Sequence, residues 1–131
     1  MMRLVELSQE TTVASAAERL LLAIDDLRPL VIRIKRLRYD ADDRLLSYEE
    51  VVLPSARMPH DGDVSLDITD LARQRGLTLG RATELVLIIS ADPVIAANLG
   101  VAVGSTVMKL DRIATTADGL PIEWRVSYSV S

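Results

Sequence analysis

Val107-Met108-Lys109-Leu110-Asp111-Arg112-Ile113-Ala114-Thr115, then Ala117-Asp118-Gly119, then Leu120-Pro121-Ile122-Glu123-Trp124-Arg125-Val126-Ser127-Tyr128-Ser129-Val130 is the stretch on which the fold turns. Two runs rich in β-branched and aromatic residues flank Asp-Gly, a dipeptide that tolerates the positive φ of a tight hairpin turn. The stretch predicts an antiparallel hairpin. Just before it, Asp92-Pro93 opens a short helix and Gly100 ends it after Leu99. Asp can accept from the free N–H groups of the first turn, Pro lacks an N–H where none is needed, and Gly takes the left-handed exit.

Toward the N-terminus the same order recurs. Val13, Ala16, Ala17, Leu20, Leu21 and Ile24 stand at helical spacing, with Thr11, Thr12 or Ser15-x-x-Glu18 as start signals and Pro29 as an interruption. Leu30 to Arg38 then reads as a strand, Asp40-Ala41-Asp42-Asp43 as a polar turn, and Leu45 to Leu53 as the return strand. Helix, strand, turn, strand has now occurred twice, with Arg36 and Arg112 late in each first strand and Glu49 and Glu123 in each return strand. This is a weak internal duplication. Between the copies lie a loop, Pro54 to Ser65, and a short helix from Asp67 to Arg75 closed by Gly76. Thr83 to Ile89 follows as a strand expected to be buried. The expected fold is α+β: a mostly antiparallel sheet of about six strands in two helix-hairpin halves, with short helices packed on one side.

The bulk numbers bound the function. With 131 residues, a single domain over 1–131 is expected. Hydrophobic residues make up 49% of the chain, yet it has no Phe, one Trp and three Tyr, so its core must be built from Leu, Ile, Val and Ala. A net charge of −4 with so few aromatics offers neither a basic stripe for phosphates nor a stacking platform for bases. Direct contact with nucleic acid is therefore not expected. Zero cysteines exclude disulfide scaffolds, thiolate metal sites and cysteine nucleophiles. Met1 to Glu6 lacks the apolar run of a signal peptide, and stretches such as Leu85 to Ile89 are too short to cross a bilayer, so a cytoplasmic, membrane-free protein is expected.

Metal and cofactor signals are equally sparse. His60, the sole histidine, sits in a Pro/Gly loop and is expected to be exposed there, and Asp61 and Asp63 show no metal-loop spacing. Gly76-x-x-x-Gly80 and Gly100-x-x-x-Gly104 lack the Lys-Ser/Thr of a phosphate loop and read as turn glycines. Neither a metal nor a cofactor is expected.

Strand parity singles out charges on apolar faces. Arg36 and Arg38 continue the parity of Ile32 and Ile34, while Glu49 shares that of Leu45, Val51 and Leu53. Arg112 shares parity with Met108 and Leu110. Such charges are costly unless partnered, so they form either cross-strand ion pairs or a site for a charged ligand. An Arg36–Glu49 pair, with Arg38 reaching water near the sheet end, would satisfy the first reading, and a cross-strand pair for Arg112 would do the same. In the last strand Leu120, Ile122, Trp124, Val126 and Tyr128 form the apolar face, and Glu123, Arg125 and Ser127 the polar one, which taken by itself faces solvent.

Several of these runs resemble UTRA domains. Val31 to Arg38, Asp42 to Glu49 and Val51-Val52-Leu53-Pro54 resemble the family's opening hairpin, with its R-x-R strand, turn and E-x-x-x-L-P return. Ala91-Asp92-Pro93, Ala96-Ala97-Asn98-Leu99-Gly100-Val101, Gly104-Ser105, Leu110-x-Arg112 and Asp118-Gly119-Leu120-Pro121-Ile122-Glu123 resemble its A-x-x-L-G-V, G-S and D-G-x-P-I-E runs. The likeness extends from about Val13 to Tyr128.

The resemblance implies a chorismate-lyase-like fold and the effector-sensing half of a bacterial GntR-family regulator of the HutC kind. It implies a homodimer that binds a small metabolite and relays occupancy to a winged-helix DNA-binding head. Since no such head precedes Val13, the chain is expected to be an excised domain or a headless relative. The ligand cleft implied by the resemblance is lined by Arg36, Arg38, Glu49, Glu123, Arg125 and Tyr128, with Arg81 as a further candidate. Leu45 stands where the usual turn proline would be, and the chain stops at Ser131, short of the usual tail. Asp67 falls where the family often has a phosphate-holding serine, which favours an unphosphorylated anionic or zwitterionic effector. The alternatives are a chorismate-lyase-like enzyme, with Arg36 or Arg38 holding a carboxylate and Glu123 as acid/base, or a dimerisation module whose charges close on themselves.

Overall fold

The two hairpins form as their turn chemistry dictates, and a strand precedes each of their helices. The computed structural model describes residues 2–58 and 67–130. In chain order these contain β1 (Arg3–Val13), α1 (Ala16–Leu21), β2 (Leu30–Tyr39), β3 (Leu45–Pro54), α2 (Ile68–Gln74), β4 (Leu79–Ser90), α3 (Pro93–Leu99), β5 (Thr106–Thr116) and β6 (Pro121–Val130). The six strands make one antiparallel sheet ordered β1-β2-β3-β6-β5-β4. Read outward from the β3/β6 seam, both halves run hairpin, then edge strand. The repeating unit is therefore strand-helix-hairpin, β1-α1-β2-β3 and β4-α3-β5-β6, one strand longer than the sequence suggests. Val13, expected in the first helix, is the last residue of β1.

Local chemistry fixes the helix ends. Ser15 Oγ accepts from Glu18 N at 3.2 Å, and Glu18 Oε1 accepts from Ser15 N at 2.7 Å, a complete capping box for α1. Asp92 Oδ1 accepts from Ile95 N at 2.8 Å, and Gly100 leaves α3 at φ 69°. Gly80 is not in a turn but within β4, where the backbone presses so closely on Thr116 that an added Cβ would sit 2.3 Å from its carbonyl oxygen.

The helices divide between the two faces of the sheet rather than sharing one. Ile68, Leu71 and Ala72 of α2 pack with Met58 on Ile32, Ile34, Val51 and Leu53. Residues flanking α1 (Ala14, Leu22, Ile24) cover Val31, Val52 and Trp124, and α3 covers Tyr48, Val107 and Tyr128. The two sets of strand residues alternate along β2 and β3, so α1 and α3 share the face opposite α2. Helix α2 interrupts the repeat, a role that periodicity cannot reveal.

β4 departs furthest from expectation. Instead of being buried, it forms an edge paired with β5 alone, and Leu85, Val86, Leu87 and Ile88 are 57%, 53%, 42% and 65% exposed. An apolar run marks a surface that favours leaving water, whether or not the same chain covers it. Among the described residues no helix is long and apolar enough to cross a membrane. His60, Asp61 and Asp63 lie outside the described residues.

Candidate ligand site

The charges singled out by parity meet on the face that α2 half covers. In β2 and β3, Arg36 pairs in register with Glu49 and Arg38 with Ser47; across the seam, Glu49 pairs with Ser127 and Val51 with Arg125. In the second half Arg112 pairs with Arg125, Leu110 with Ser127 and Ala114 with Glu123. Antiparallel partners project to the same side, so one patch gathers four guanidinium groups and two carboxylates.

Glu49 is the hub of the first half. Its Oε1 accepts from Arg36 Nε at 2.9 Å and Arg38 Nη2 at 3.2 Å; its Oε2 accepts from Arg38 Nε at 3.0 Å, Ser47 Oγ at 3.1 Å and Ser127 Oγ at 3.0 Å. Burial alone would raise this carboxyl, but the Arg38 hydrogen bonds and the charges of Arg36, Arg38 and Arg125 outweigh it and hold it at about 2. The cross-strand pair of the first reading is thus present. Arg38, expected to reach water, has a side chain only 11% exposed and shares the same acid. With five donors on one carboxylate, Glu49 is a fixed support for the arginines.

The second half lacks such a hub. Arg125 stands as far beyond Arg112 as Glu49 stands beyond Arg36, so the register that gives the first half Arg–Glu gives the second Arg–Arg. Glu123, read from the sequence as the counterpart of Glu49, lies one layer deeper beside Ala114 and is 1% exposed, not solvent-facing. Its carboxyl is raised by burial against the pull of Arg125 and Arg36, and the charge of Glu49 adds to the rise. Burial likewise lowers Arg125, with the charges of Glu123 and Glu49 opposing. Glu123 Oε1, Arg125 Nε and Arg36 Nη2 are buried without a hydrogen-bond partner among the described residues. Arg112 Nε is 3.7 Å from Glu84 Oε1, its register partner on β4, so the cross-strand ion pair expected for Arg112 is present, though longer than a hydrogen bond and partly exposed.

Above this layer opens a cleft of about 410 Å³. Arg38, Glu49, Arg112, Arg125, Ser47 and Ser127 form its polar wall, Met108 and Leu110 an apolar strip, and Asp67 and Thr69 the rim at the start of α2. Asp67 also caps that helix, accepting from Asp70 N at 3.1 Å. Because Glu49 is occupied and Glu123 is held toward its neutral form, guanidinium charge is in excess. Underused donors beside a half-open cavity suit an anion. Among the described residues no group of three His, Cys, Asp or Glu is placed to hold a metal.

Five of the seven residues expected at a ligand site are therefore brought together. Arg38, Glu49 and Arg125 line the cleft; Arg36 and Glu123 lie beneath it. Arg81 and Tyr128 do not join them. Arg81 is exposed on β4, its carbonyl accepting from Thr115 Oγ1 at 2.7 Å. Tyr128 has the parity opposite to Arg125 and stacks on Tyr48 across the sheet, with ring centroids 6.0 Å apart. Arg112 is the residue that sequence reasoning left out of the cleft, and its distance along the chain from Arg125 is the signal that finds it.

The fold of this chain is shared by effector domains of GntR-family transcriptional regulators. The fold superposes on the effector domain of PhnF from Mycobacterium smegmatis with a TM-score of 0.89 at 21% identity, covering 100% of this chain and 82% of that one. A GntR-family transcriptional regulator from Enterococcus faecalis gives 0.84 at 18% identity, over 98% of this chain and 93% of the other. Against a longer PhnF chain the TM-score is 0.88 at 21% identity, and this chain covers 58% of that length. The chain belongs to the UTRA domain family, whose model matches residues 3–131. A search of curated protein sequences returns no significant match.

Proposed function

We propose that this chain is the effector-sensing domain of a cytoplasmic GntR regulator of the HutC kind, and that it binds an unphosphorylated anionic or zwitterionic metabolite. Arg112, Arg125 and Arg38 hold the anionic group, while Asp67 and Thr69 receive a hydroxyl or ammonium at the opposite rim. Glu49 positions these arginines from within the wall, and Arg36 and Glu123 from below. The observation that carries the reading is the Arg112–Arg125 register pair at a cleft wall, offset only by the half-exposed Glu84 at 3.7 Å from Arg112, where its counterpart Arg36 is neutralised by the buried Glu49. The domain works as a homodimer, and occupancy biases two arrangements of a winged-helix head that contacts DNA in its stead.

No catalysis is proposed. A lyase mechanism would need Glu123 to reach substrate, and that carboxyl lies beneath the cleft wall. A thermal-shift screen against amino acids, sugars, sugar phosphates and aromatic acids tests the sensor. A specific effector at a hundred times its Kd adds about 2.7 kcal/mol and raises Tm by several degrees in wild type, and the gain disappears in Arg125→Met. Failure of every class to shift Tm would overturn the reading. Release of pyruvate from chorismate would replace it with the enzyme.

A further inference from the structure

Glu123 is a carboxyl set in an apolar row. Ala114 stands beside it on β5, Ala82 continues the row on β4, and α2 packs on this layer through Ile68, Leu71 and Ala72. The side chain is 1% exposed, and its Oε1 has no hydrogen-bond partner among the described residues. The charges that reach it come from the strands: Arg125 two residues along β6, Arg36 from β2, Arg112 from β5 and, with the opposite sign, Glu49 from β3. Glu84 on β4 faces Arg112 and draws on the same guanidinium group. A carboxylate so placed is kept ionised only by cations that other groups also use.

Arg125 serves both sides of this layer. It lines the cleft above, and its charge is the foremost pull on Glu123 below. An anion held by Arg125 and Arg112 puts negative charge on the far side of the same guanidinium groups, so a second negative charge beneath them is harder to keep. Glu49 does not yield, because five donors converge on it and hold its carboxyl at about 2. Glu123, with an unpartnered oxygen in apolar surroundings, is the carboxylate that gives way. We infer that the cleft takes up its anion together with a proton, the anion on the arginine wall and the proton on the Glu123 carboxylate beneath it. This rests on the anion-binding reading of the cleft and adds its regulation: occupancy follows effector concentration and acidity jointly. Linkage makes the effect reciprocal. Affinity for the anion rises as pH falls through the range in which Glu123 titrates, and the bound anion moves that range upward. Burial puts the range above that of an ordinary glutamate.

Sulfate is the probe, since it stays fully ionised across the range from about pH 5 to pH 9 in which a raised carboxyl titrates. Calorimetric titration in two buffers of different ionisation enthalpy counts the protons exchanged on binding. Wild type is expected to take up a fraction of one proton per sulfate within that range. It is also expected to bind about tenfold more weakly at the alkaline end than at the acid end, an ordinary coupling between two linked sites. Glu123→Gln, neutral at every pH, is expected to bind sulfate without proton uptake and to keep the acid-side affinity of wild type throughout. His60→Gln removes the sole histidine, the side chain that ordinarily titrates in this range, and is expected to retain the uptake. Sulfate binding by wild type without proton uptake, uptake that persists in Glu123→Gln, or uptake that disappears in His60→Gln would overturn the inference and leave the sensor standing. Sulfate that binds wild type at no pH, or binds Arg125→Met equally well, would remove the anion site and the inference with it.

Discussion

The two halves of the sheet repeat one unit and place an arginine at the same point in it, yet they use that arginine in opposite ways. In the first half Arg36 meets Glu49, and five donors converge on the carboxylate. In the second, Arg112 meets Arg125; Glu84 reaches Arg112 only from the half-exposed edge strand, at 3.7 Å, and Glu123 sits a layer below and is held toward neutrality. A repeated fold thus supplies a closed ion-pair hub in one half and a loosely compensated pair of cations in the other. The register position that carries Glu49 in the first half carries Arg125 in the second.

Breaking the hub is the harshest test of this contrast. Glu49→Gln leaves Arg36, 2% exposed, and Arg38 without their counter-ion, and uncompensated buried charge costs about 3–5 kcal/mol. Urea unfolding should register that loss. Arg125→Met removes a cation from a like-charged group and should unfold within about 1 kcal/mol of wild type, or above it, while abolishing effector binding. Equal destabilisation by the two would mean that the halves do not differ in this way.

Protons sharpen the same comparison. The Glu49 carboxyl is depressed from 4.5 to about 2, so its stabilisation is fully present above about 4.5 and is lost as pH falls toward 2; the shift corresponds to about 3 kcal/mol. Glu123 has the opposite sign. Its raised carboxyl favours the fold at low pH and weakens it as pH rises through the folded value. Glu123→Gln should therefore stabilise the domain more at pH 8 than at pH 5, and Glu49→Gln should flatten the acid limb of the stability curve. Denaturant midpoints across pH would show both, and identical profiles for the two variants would refute the asymmetry.

Much of this was legible in the sequence because turns and caps have specific chemistry. Asp118-Gly119 and Asp92-Pro93 with Gly100 locate the second hairpin and its helix, and parity alone puts Arg36, Arg38 and Glu49 on one face. β1 escaped notice because an edge strand with polar alternation has no core demand to mark it, and Val13 fits a helical stripe as well as a strand. The apolar run of β4 says that water is disfavoured, not what replaces it. Tyr128 shows the limit of carrying residues over by likeness: proximity in sequence to Arg125 puts it across the sheet. Arg112 needed register, which depends on how two strands align rather than on either strand alone.

The smallest effect belongs to α2, the element outside the repeat. Asp67 puts a carboxylate on the rim of the cleft that Arg112 and Arg125 also line. Asp67→Ser keeps a hydroxyl that can cap the helix, so stability should change by no more than a few tenths of a kcal/mol. What changes is the charge opposite the arginine wall. Across a half-wet cleft one charge is worth about 1 kcal/mol, so inorganic phosphate should bind roughly fivefold more tightly to Asp67→Ser than to wild type. Titration by calorimetry at fixed ionic strength would measure it, with Arg125→Met as the control that should lose phosphate altogether. If Asp67→Ser binds phosphate no better, then the acid is acting only as a helix cap, and discrimination against phosphorylated effectors must come from the shape of the cleft.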